Sequence, residues 1–327
     1  MSDWAASEAP ELSIVVPVHN EAPNVEPLYD QIAEVLAEMG RRTELIVIDD
    51  GSTDETFERL RTVRQRAQAA GQGAPAVKVL RLRRQFGKSA ALAAGFAEAR
   101  GEVVVTMDGD LQDNPKELPR FLAALEEGHD LVSGWKRERH DPWSRVLASR
   151  VFNAVVGWLS GVRLHDINCG FKAYRAELVR ELRLYGDLHR FVPVLAHGKG
   201  FRCGEIEVEH RPRTAGETKY GAGRLITGFL DLLTVLLLTG YASRPLHFFG
   251  GTGVVAFAVG VVINLYLALL WAFDPTSRPI GTRPLLLLGV LLMILGIQLV
   301  SVGLIGELLI NRQRRPGDAY SIAERLD

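Results

Sequence analysis

Two long stretches without charge constrain the fold of this 327-residue chain more than any other feature. Residues 248–273 and 285–306 contain no Asp, Glu, Lys or Arg over 26 and 22 positions. An α-helix rises about 1.5 Å per residue, so about 20 apolar residues cross the hydrocarbon layer of a membrane. Buried core helices are the alternative, but they rarely need so long an uncharged run. The pattern therefore predicts a transmembrane hairpin with spans at about 246–273 and 285–307.

Charge is divided sharply along the chain. The totals of 38 basic and 39 acidic residues nearly cancel, which argues against binding to nucleic acid or another generic polyanion. Most charges lie in residues 1–245, whereas residues 246–310 carry only Asp274, Arg278, Arg283 and Glu307. The sequence thus predicts a globular head followed by the hairpin.

The residues that flank the two spans predict their orientation. The N-terminal residues are acidic and lack an apolar core, so they do not read as a secretory signal. Arg224 and Arg244 precede the first span, and Arg312, Arg314 and Arg315 follow the second. Because basic residues favour the cytoplasmic side, we expect both termini in the cytoplasm and a two-span protein of the inner or plasma membrane.

A third apolar run, residues 224–244, differs from the other two. It contains Asp231, and Arg224, Thr227, Asp231 and Thr234 recur at three- and four-residue steps along one helical stripe. We predict that this run is an amphipathic helix lying along the membrane interface. The predicted organisation is a cytosolic domain at 1–223, the interfacial helix at 224–244, the hairpin at 245–310 and a cytosolic tail at 311–327.

The head alternates strand patterns with helix patterns. Compact apolar runs predict strands at 12–18, 45–48, 77–82, 103–107 and 130–133, and helical spacing predicts helices near 25–39, 53–70, 88–99 and 115–127. Such alternation is typical of an α/β fold with a Rossmann-like, mainly parallel sheet covered on both faces. Ligands of these sheets bind outside the carboxyl ends of the strands.

Polar residues follow three of the predicted strands, at 17–21, 49–52 and 108–112, so their side chains should meet at one sheet edge. Carboxylates that lie close together repel one another unless a cation lies among them. Asp108, Asp110 and Gln112 offer the hard oxygen ligands that Mg²⁺ or Mn²⁺ accepts. A lone Asp-x-Asp triplet is weak evidence, because such turns are commonly solvated or capping, but Asp49 and Asp50 at a second strand end add weight.

The chain has no glycine-rich phosphate loop. Neither G-x-x-x-x-G-K-[ST] nor G-x-G-x-x-G occurs in the sequence. A P-loop enzyme and a dehydrogenase are therefore disfavoured, and a nucleotide would be held by acids and a metal ion.

Three blocks of the sequence resemble a known family. Residues 17–21 (PVHNE), 49–54 (DDGSTD) and 108–115 (DGDLQDNP) look like the signature blocks of family 2 glycosyltransferases with the GT-A fold. The similarity is closer to the polyprenyl-phosphate branch of that family and extends over nearly the whole chain, including both predicted spans. His19 departs from the pattern, since the family often has tyrosine there.

The resemblance assigns roles to individual residues. It implies a pocket for the base and ribose lined by Pro17, His19, Glu21, Asp49 and Asp50. It implies a metal ion on the diphosphate, held by Asp108, Asp110 and Gln112. Lys88 follows a turn at a predicted helix start, where it would lie near phosphate, or it is an exposed lysine of the first turn.

Basic residues after the fifth predicted strand resemble an acceptor site. Arg145 and Ser149 are four residues apart, so both would lie on one face of a helix and could meet a phosphate. The resemblance assigns this pair to the lipid phosphate, with Lys136 or Arg137 opposite. A solvated charged face is the alternative reading of this stretch.

Two further blocks match the family pattern. Residues 216–221 resemble the loop that carries a lysine towards the pyrophosphate, so Lys219 would offset charge on the leaving group, unless the segment is a linker with a membrane-facing lysine. Residues 166–172 resemble a block near the sugar, where Asp166 would contact hydroxyl groups or cap a turn. The expected catalytic residues are Asp110, Lys219 and Arg145.

The resemblance implies inverting transfer of a sugar from a nucleoside-diphosphate sugar to a polyprenyl phosphate, undecaprenyl or dolichyl. A phosphate monoester is largely ionised near neutral pH, so it can attack the anomeric carbon without a strong general base. The alternatives are a membrane-tethered nucleotide-sugar-binding protein without turnover and a short processive polysaccharide synthase. The synthase is disfavoured because its Gln-x-x-Arg-Trp motif needs an Arg-Trp pair, which the chain lacks. The resemblance also suggests homo-oligomers, for which the sequence offers no interface.

Overall fold

The computed structural model describes residues 9–71, 74–137, 153, 155–158, 160–211, 234, 245–273, 281 and 283–313. Arg145, Ser149, Lys219 and the predicted interfacial helix, apart from Thr234, lie outside the described residues. The chain divides into two compact units, Met1–Val235 and Leu236–Asp327.

The first unit is built on a seven-stranded sheet with the order β3-β2-β1-β4-β6-β5-β7. Its strands are β1 (Leu12–Val18), β2 (Thr43–Asp49), β3 (Ala76–Arg81), β4 (Val103–Thr106), β5 (Leu131–Trp135), β6 (Lys172–Arg175) and β7 (Cys203–Glu207). The first four strands are mutually parallel, and β5 pairs with β7 in parallel. Only β6 runs antiparallel to its two neighbours in the described sheet.

Parallel pairing brings the chemically active loops to one edge. Val18 at the end of β1 pairs with Asp49 at the end of β2, and Val15 pairs with Thr106 at the end of β4. The loops that follow β1, β2 and β4 therefore leave the sheet on the same side. This confirms the predicted convergence of polar loops at the carboxyl edge.

Helices cover the sheet because their apolar stripes match its buried faces. They are α1 (Ala22–Met39), α2 (Thr56–Ala70), α3 (Lys88–Glu98), α4 (Leu118–Glu126), α5 (Ala176–Glu181) and α6 (Val192–Gly198), with 3₁₀ turns at Pro115–Glu117 and Leu188–Phe191. Val25, Leu28 and Ile32 lie one turn apart on α1, and all are buried in the core with Ile14 and Val16 of β1. The central strand β1 is buried along most of its length, as expected for a parallel sheet covered on both faces.

The predicted α/β fold is confirmed, and all five predicted strands are present. The prediction missed β6 and β7. Four residues of mixed polarity form β6. The strand β7 lies at the edge of the sheet, and its polar and apolar residues alternate only weakly. Neither strand therefore has the compact apolar run by which the other five were recognised.

The described part of the second unit contains two long helices, α7 (Pro245–Phe273) and α8 (Pro284–Gln313). Both are long and apolar enough to cross a membrane, and only 17% and 11% of their most apolar windows are buried. A core helix of a globular protein would be mostly buried, so the exposed apolar surface agrees with the predicted membrane hairpin.

Glycines allow α7 and α8 to approach closely. A β-carbon on Gly253 would lie 2.6 Å from the carbonyl oxygen of Gly296, and one on Gly260 would lie 2.5 Å from that of Gly289. Small residues at such contacts permit backbone packing between apolar helices in a membrane.

Candidate active site

The loop after β4 carries the acidic block at the carboxyl edge. The Asp108 N–H donates to Asp113 Oδ2 at 3.0 Å, and the Gln112 N–H donates to Asp110 Oδ1 at 3.2 Å. Leu111 between them has φ 64°, a left-handed conformation that is costly for a branched side chain. The loop thus folds back on itself through its own carboxylates and holds one residue in a strained conformation.

Two lysines from different elements neutralise this loop. Lys88, the first residue of α3, forms an ion pair with Asp108 Oδ1. Lys136, just after β5, lies 2.8 Å from Asp113 Oδ1. The loop therefore has a protein cation on each of two carboxylates.

The lysines determine the charge state of the loop. Burial alone would raise the pKa of Asp108, but Lys88 and Lys136 outweigh it and lower this pKa to about 2. Burial alone would also lower the pKa of both lysines, yet Asp108 raises that of Lys88 and Asp113 raises that of Lys136. Asp108, Lys88 and Lys136 are therefore charged at neutral pH.

Gly170 provides the space that Asp108 occupies. A β-carbon at Gly170 would lie 2.5 Å from Asp108 Oδ2, so any larger residue would displace the carboxylate. Thr106 Oγ1 donates to the Gly170 carbonyl at 2.8 Å and fixes this turn against the end of β4. Asp166 of the same sequence block is buried, and its carbonyl accepts from Ser133 Oγ at 3.3 Å. A contact between Asp166 and sugar stays a prediction.

Asp50 holds the turn that leads into α3. Its two carboxylate oxygens accept from the N–H groups of Phe86 at 2.7 Å and Gly87 at 2.9 Å. His19 Nδ1 donates to the Asp50 carbonyl at 2.9 Å. Asp50 and His19, both expected to line a nucleotide pocket, thus connect the loops after β1, β2 and β3, and they fix the backbone beside Lys88.

Asp49 is fully buried and keeps one oxygen without a hydrogen bond. Its Oδ1 accepts from the Ser52 N–H at 2.9 Å, while Oδ2 lies 3.4 Å from Arg81 Nε in an ion pair. A buried acceptor in this state favours a ligand that can donate an N–H or O–H group. Among the residues expected to contact the base or ribose, Asp49 therefore has the clearest capacity for another bond.

The loops after β1 and β2 are bonded to one another. The Asn20 N–H donates to Ser52 Oγ at 2.9 Å, and Asn20 Oδ1 accepts from the Thr53 N–H at 2.9 Å. Glu21 Oε2 accepts from Asn24 Nδ2 at 2.6 Å. Pro17 is half-buried near the end of β1. The structure thus places all five residues expected to form the nucleotide pocket at one edge.

Gln112 is oriented by a neighbouring segment. Its Nε2 donates to the Arg211 carbonyl at 3.4 Å, and the Arg211 N–H donates to the Gln112 carbonyl at 3.1 Å. Asn114 Nδ2 donates to Glu209 Oε2 at 2.6 Å. Because the amide nitrogen of Gln112 is used in this way, its side-chain oxygen is the atom available to a ligand.

The predicted metal ligands fit a hard divalent cation that a substrate completes. Asp108, Asp110 and Gln112 supply oxygen donors from one loop. Within the described ranges, no three His, Cys, Asp or Glu side chains form a ready-made cage. Mg²⁺ is usually bound through one or two carboxylates together with phosphate oxygens, so this donor set suits a cation that arrives with a diphosphate.

The structure separates the two basic residues proposed to oppose the acceptor pair. Lys136 contacts the acidic loop, whereas Arg137 Nη1 lies 3.4 Å from Glu207 Oε2 on β7. The Arg137 guanidinium also lies 5.9 Å from the centre of the Trp135 ring. Of the two, only Lys136 is brought to the acidic loop.

Two residues near the site were given no role by the sequence reasoning, although Lys172 ends the block at 166–172. Ser89 Oγ forms two hydrogen bonds with His189, one with its backbone N–H at 3.1 Å and one with its ring Nδ1 at 2.9 Å. Burial, reinforced by Lys88, lowers the pKa of His189 to about 3, so its ring is neutral at physiological pH. Lys172 is buried and donates to the Cys169 carbonyl, and burial lowers its pKa. No motif marks His189, and Lys172 belongs to the unpredicted strand β6.

Comparison with known proteins identifies relatives along most of the chain. The family model described as glycosyl transferase family 2 matches residues 13–183. A dodecaprenyl-phosphate galacturonate synthase of Rhizobium johnstonii is 39% identical over 305 residues, covering 91% of this chain and 87% of that protein. An undecaprenyl-phosphate 4-deoxy-4-formamido-L-arabinose transferase of Edwardsiella ictaluri is 34% identical over 311 residues, covering 94% and 90%.

The fold also matches a solved structure. Glucosyl-3-phosphoglycerate synthase from Mycobacterium tuberculosis, in complex with Mn²⁺, uridine diphosphate and glucosyl-3-phosphoglycerate, superimposes with a TM-score of 0.54 at 23% identity. The match covers 70% of this chain and 80% of that one, and it supports the expected GT-A architecture. The family model and both relatives agree, and the chain belongs to glycosyl transferase family 2.

Proposed function

We propose that this protein transfers a sugar from a nucleoside-diphosphate sugar to a polyprenyl phosphate, with inversion at the anomeric carbon. One observation carries the proposal. The 305-residue alignment with the galacturonate synthase is longer than the first unit, which ends at Val235, so the similarity runs into the apolar helices. A shared acidic loop alone would support many sugar transferases, whereas a shared apolar unit supports a lipid acceptor.

The nucleotide would bind at the edge formed by the loops after β1 and β2. Asp49 Oδ2 is the acceptor proposed for an N–H of the base or an O–H of the ribose, because it is buried and lacks a hydrogen bond. Pro17, His19 and Glu21 would line the same pocket. Asp50 would act through the backbone turn that it holds.

Asp108, Asp110 and Gln112 would hold Mg²⁺ or Mn²⁺. When bound, such a cation neutralises negative charge on the departing diphosphate. The protein's own contribution is to present ionised carboxylates in a preformed loop, which the low pKa of Asp108 secures at physiological pH. Lys88 and Lys219 would add positive charge for the diphosphate oxygens, with Lys219 assigned from the family pattern alone.

The acceptor phosphate would bind beside the acidic loop. Lys136 is the described residue best placed for it, and Arg145 and Ser149 are assigned from the family pattern. A phosphate oxygen would attack the anomeric carbon while the bond from that carbon to the diphosphate oxygen breaks. The nucleoside diphosphate then leaves with the bonding electrons. No proton has to be removed from an ionised phosphate, so alignment and charge neutralisation suffice.

The second unit would place this reaction at the membrane. We propose a cytosolic domain at 1–223, an interfacial helix at 224–244, two spans within 245–310 and a cytosolic tail at 311–327. The exposed apolar side chains of α7 and α8 support the spans. The basic residues outside them support a cytoplasmic location for both termini.

The test is sugar transfer by the purified full chain in lipid. Undecaprenyl phosphate is offered with a panel of radiolabelled uridine- and guanosine-diphosphate sugars, including a uronic acid and an amino sugar. We expect one lipid-linked monosaccharide, lost in the Asp110→Asn variant and in EDTA. Binding of nucleotide sugar without transfer would favour a non-catalytic binder, and a polymeric product would favour a processive synthase.

A further inference from the structure

Five aspartates meet at the carboxyl edge, and they differ in what holds them. They are Asp49, Asp50, Asp108, Asp110 and Asp113. Asp49, Asp50, Asp110 and Asp113 each accept a hydrogen bond from a backbone N–H group. In the described structure Asp108 is held instead by a side chain, that of Lys88. A partner on a flexible side chain can change position without moving the backbone. Asp108 is therefore the carboxylate whose partner is exchangeable.

The residues on either side of Lys88 are fixed. Gly87 donates its N–H to Asp50, and the Ser89 hydroxyl bonds both the backbone and the ring of His189. The backbone of Lys88 is thus anchored at both neighbours, which leaves its side chain as the movable part. The Phe86 and Gly87 amides already bond Asp50, and the Lys88 ammonium group is the charged group that residues 85–88 can direct to a ligand.

The space around Asp108 makes two cations compete. Asp108 Oδ2 lies against Gly170, close enough that a β-carbon there would be only 2.5 Å away. Asp108 Oδ1 carries Lys88. A divalent cation that reaches this carboxylate from the open side meets the ammonium group, and like charges at ion-pair distance repel strongly.

The second lysine of the loop is in a different situation. The side chains of Lys136 and Asp113 are only 13% and 0% exposed, whereas those of Lys88 and Asp108 are both 31% exposed. Asp113 also accepts the Asp108 N–H, so its ion pair supports the loop backbone. Exchange is thus easier at the Lys88 pair, which is partly open to solvent.

We propose that Lys88 is an exchangeable counter-cation for Asp108: it holds this carboxylate before substrate binds, yields it to the divalent cation, and moves to a diphosphate oxygen of the nucleotide. The proposal rests on the proposed function and adds that the metal ion and the nucleotide diphosphate depend on each other for binding. Metal alone must displace the lysine from Asp108, and Asp113, the other carboxylate that attracts this ammonium group, is already paired with Lys136. Metal together with a diphosphate gives the lysine a new partner, so the two ligands bind synergistically.

The exchange is tested by titrating the detergent-purified full chain with Mn²⁺ alone and measuring the bound ion by electron paramagnetic resonance. Lys88→Gln removes the charge but keeps a donor for Asp108, and it should tighten binding of Mn²⁺ alone about tenfold. The same variant should weaken binding of uridine or guanosine diphosphate in the presence of Mn²⁺. Lys88→Arg keeps the charge and should not tighten Mn²⁺ binding.

Lys116→Gln is the matched control. It removes the same charge near the acidic loop from an exposed side chain that makes no ion pair among the described residues, so Mn²⁺ affinity should change less than twofold. Equal tightening in both Gln variants would mean a general field effect and would overturn the exchange. Unchanged or weaker Mn²⁺ binding in folded Lys88→Gln, verified by thermal unfolding, would also overturn it.

Sugar transfer by the wild-type chain is measured separately. Transfer by the wild type with no tightening in Lys88→Gln leaves the proposed function standing and rejects the exchange. Tightening in that variant with no transfer by the wild type rejects the function and supports the exchange.

Discussion

Replacing Gly170 with alanine tests whether the position of Asp108 controls the reaction. A β-carbon at residue 170 would lie 2.5 Å from Asp108 Oδ2 and 2.7 Å from its Cγ and Oδ1. Ordinary van der Waals contact begins at 3.4 Å, so the carboxylate would have to withdraw by about 0.9 Å. The backbone of Gly170 lies outside the left-handed region, so alanine adds no conformational strain of its own. The substitution therefore acts mainly by displacing Asp108.

The size of the effect follows from this displacement. A misplacement of about 1 Å in an active site can cost about 100-fold in rate, and overpacking costs about 1–3 kcal/mol in stability. We expect kcat for sugar transfer to fall about 100-fold and Mn²⁺ binding to weaken. We also expect the melting temperature of the first unit to fall by several degrees. The assays are transfer to undecaprenyl phosphate, Mn²⁺ titration and thermal unfolding in detergent.

Gly101→Ala provides a control with similar overpacking at the opposite sheet edge. A β-carbon there would lie 2.6 Å from the Ser13 nitrogen and 2.8 Å from the Leu12 carbonyl carbon, beside the start of β1. Because this clash is with strand backbone and not with the end of a side chain, the variant should lose at least as much stability as Gly170→Ala and keep its Mn²⁺ affinity. The reasoning is refuted if Gly170→Ala keeps kcat and Mn²⁺ affinity within about threefold, or if both variants lose Mn²⁺ affinity equally.

Two further predictions concern pH and the apolar unit. The pKa of His189 is lowered to about 3 in the folded protein, so below its unfolded pKa of about 6.5 the unfolded chain binds the extra proton. The free energy of unfolding should therefore fall as pH drops from about 6.5 towards 3. In denaturant titrations, His189→Gln should flatten this pH dependence. Equal slopes of unfolding free energy against pH in the variant and the wild type would contradict the prediction. Gly253→Leu should separate α7 from α8, because its β-carbon would lie 2.6 Å from the Gly296 carbonyl oxygen. A lower thermal stability in detergent than for Gly251→Leu, where no atom lies within 4 Å, is the expected result, and equal stability would contradict it.

Much of the fold could be predicted because each of its signals is local. An uncharged run of sufficient length defines α7 and α8, and apolar runs define the five strands that were predicted. The strand β6 gives no such signal, because its burial depends on pairing with β4 and β5 from distant parts of the chain. The position of Lys172 in the core could not be predicted for the same reason.

The sequence predicted which residue types form the site better than it predicted which of these residues bond to one another. Parallel strands bring their carboxyl ends together, so acidic residues after β2 and β4 had to converge. Which acid would bond which group depends on loop geometry that the sequence does not encode locally. Asp50 was expected to face a nucleotide, yet both of its oxygens hold the turn before α3. His189 reaches Ser89 across 100 positions, and no spacing rule predicts such a contact.

The division among the carboxylates changes how substitutions at this edge should be interpreted. Loss of transfer in an Asp50 or Asp113 variant would follow from loops released when backbone amides lose their acceptor, which costs about 1–3 kcal/mol for each buried amide. Loss in an Asp108 variant would have another origin, since among the described residues the hydrogen bond to that carboxylate comes from the Lys88 side chain and not from a backbone amide. Activity alone cannot separate these cases. Melting temperature should fall in both groups, because ionised Asp108, whose pKa is lowered to about 2, also stabilises the fold through its ion pair with Lys88. The Asp108 variant should in addition lose Mn²⁺ affinity out of proportion to its loss of stability. The two measurements together therefore distinguish acids that hold the loops from the acid that holds the ligand.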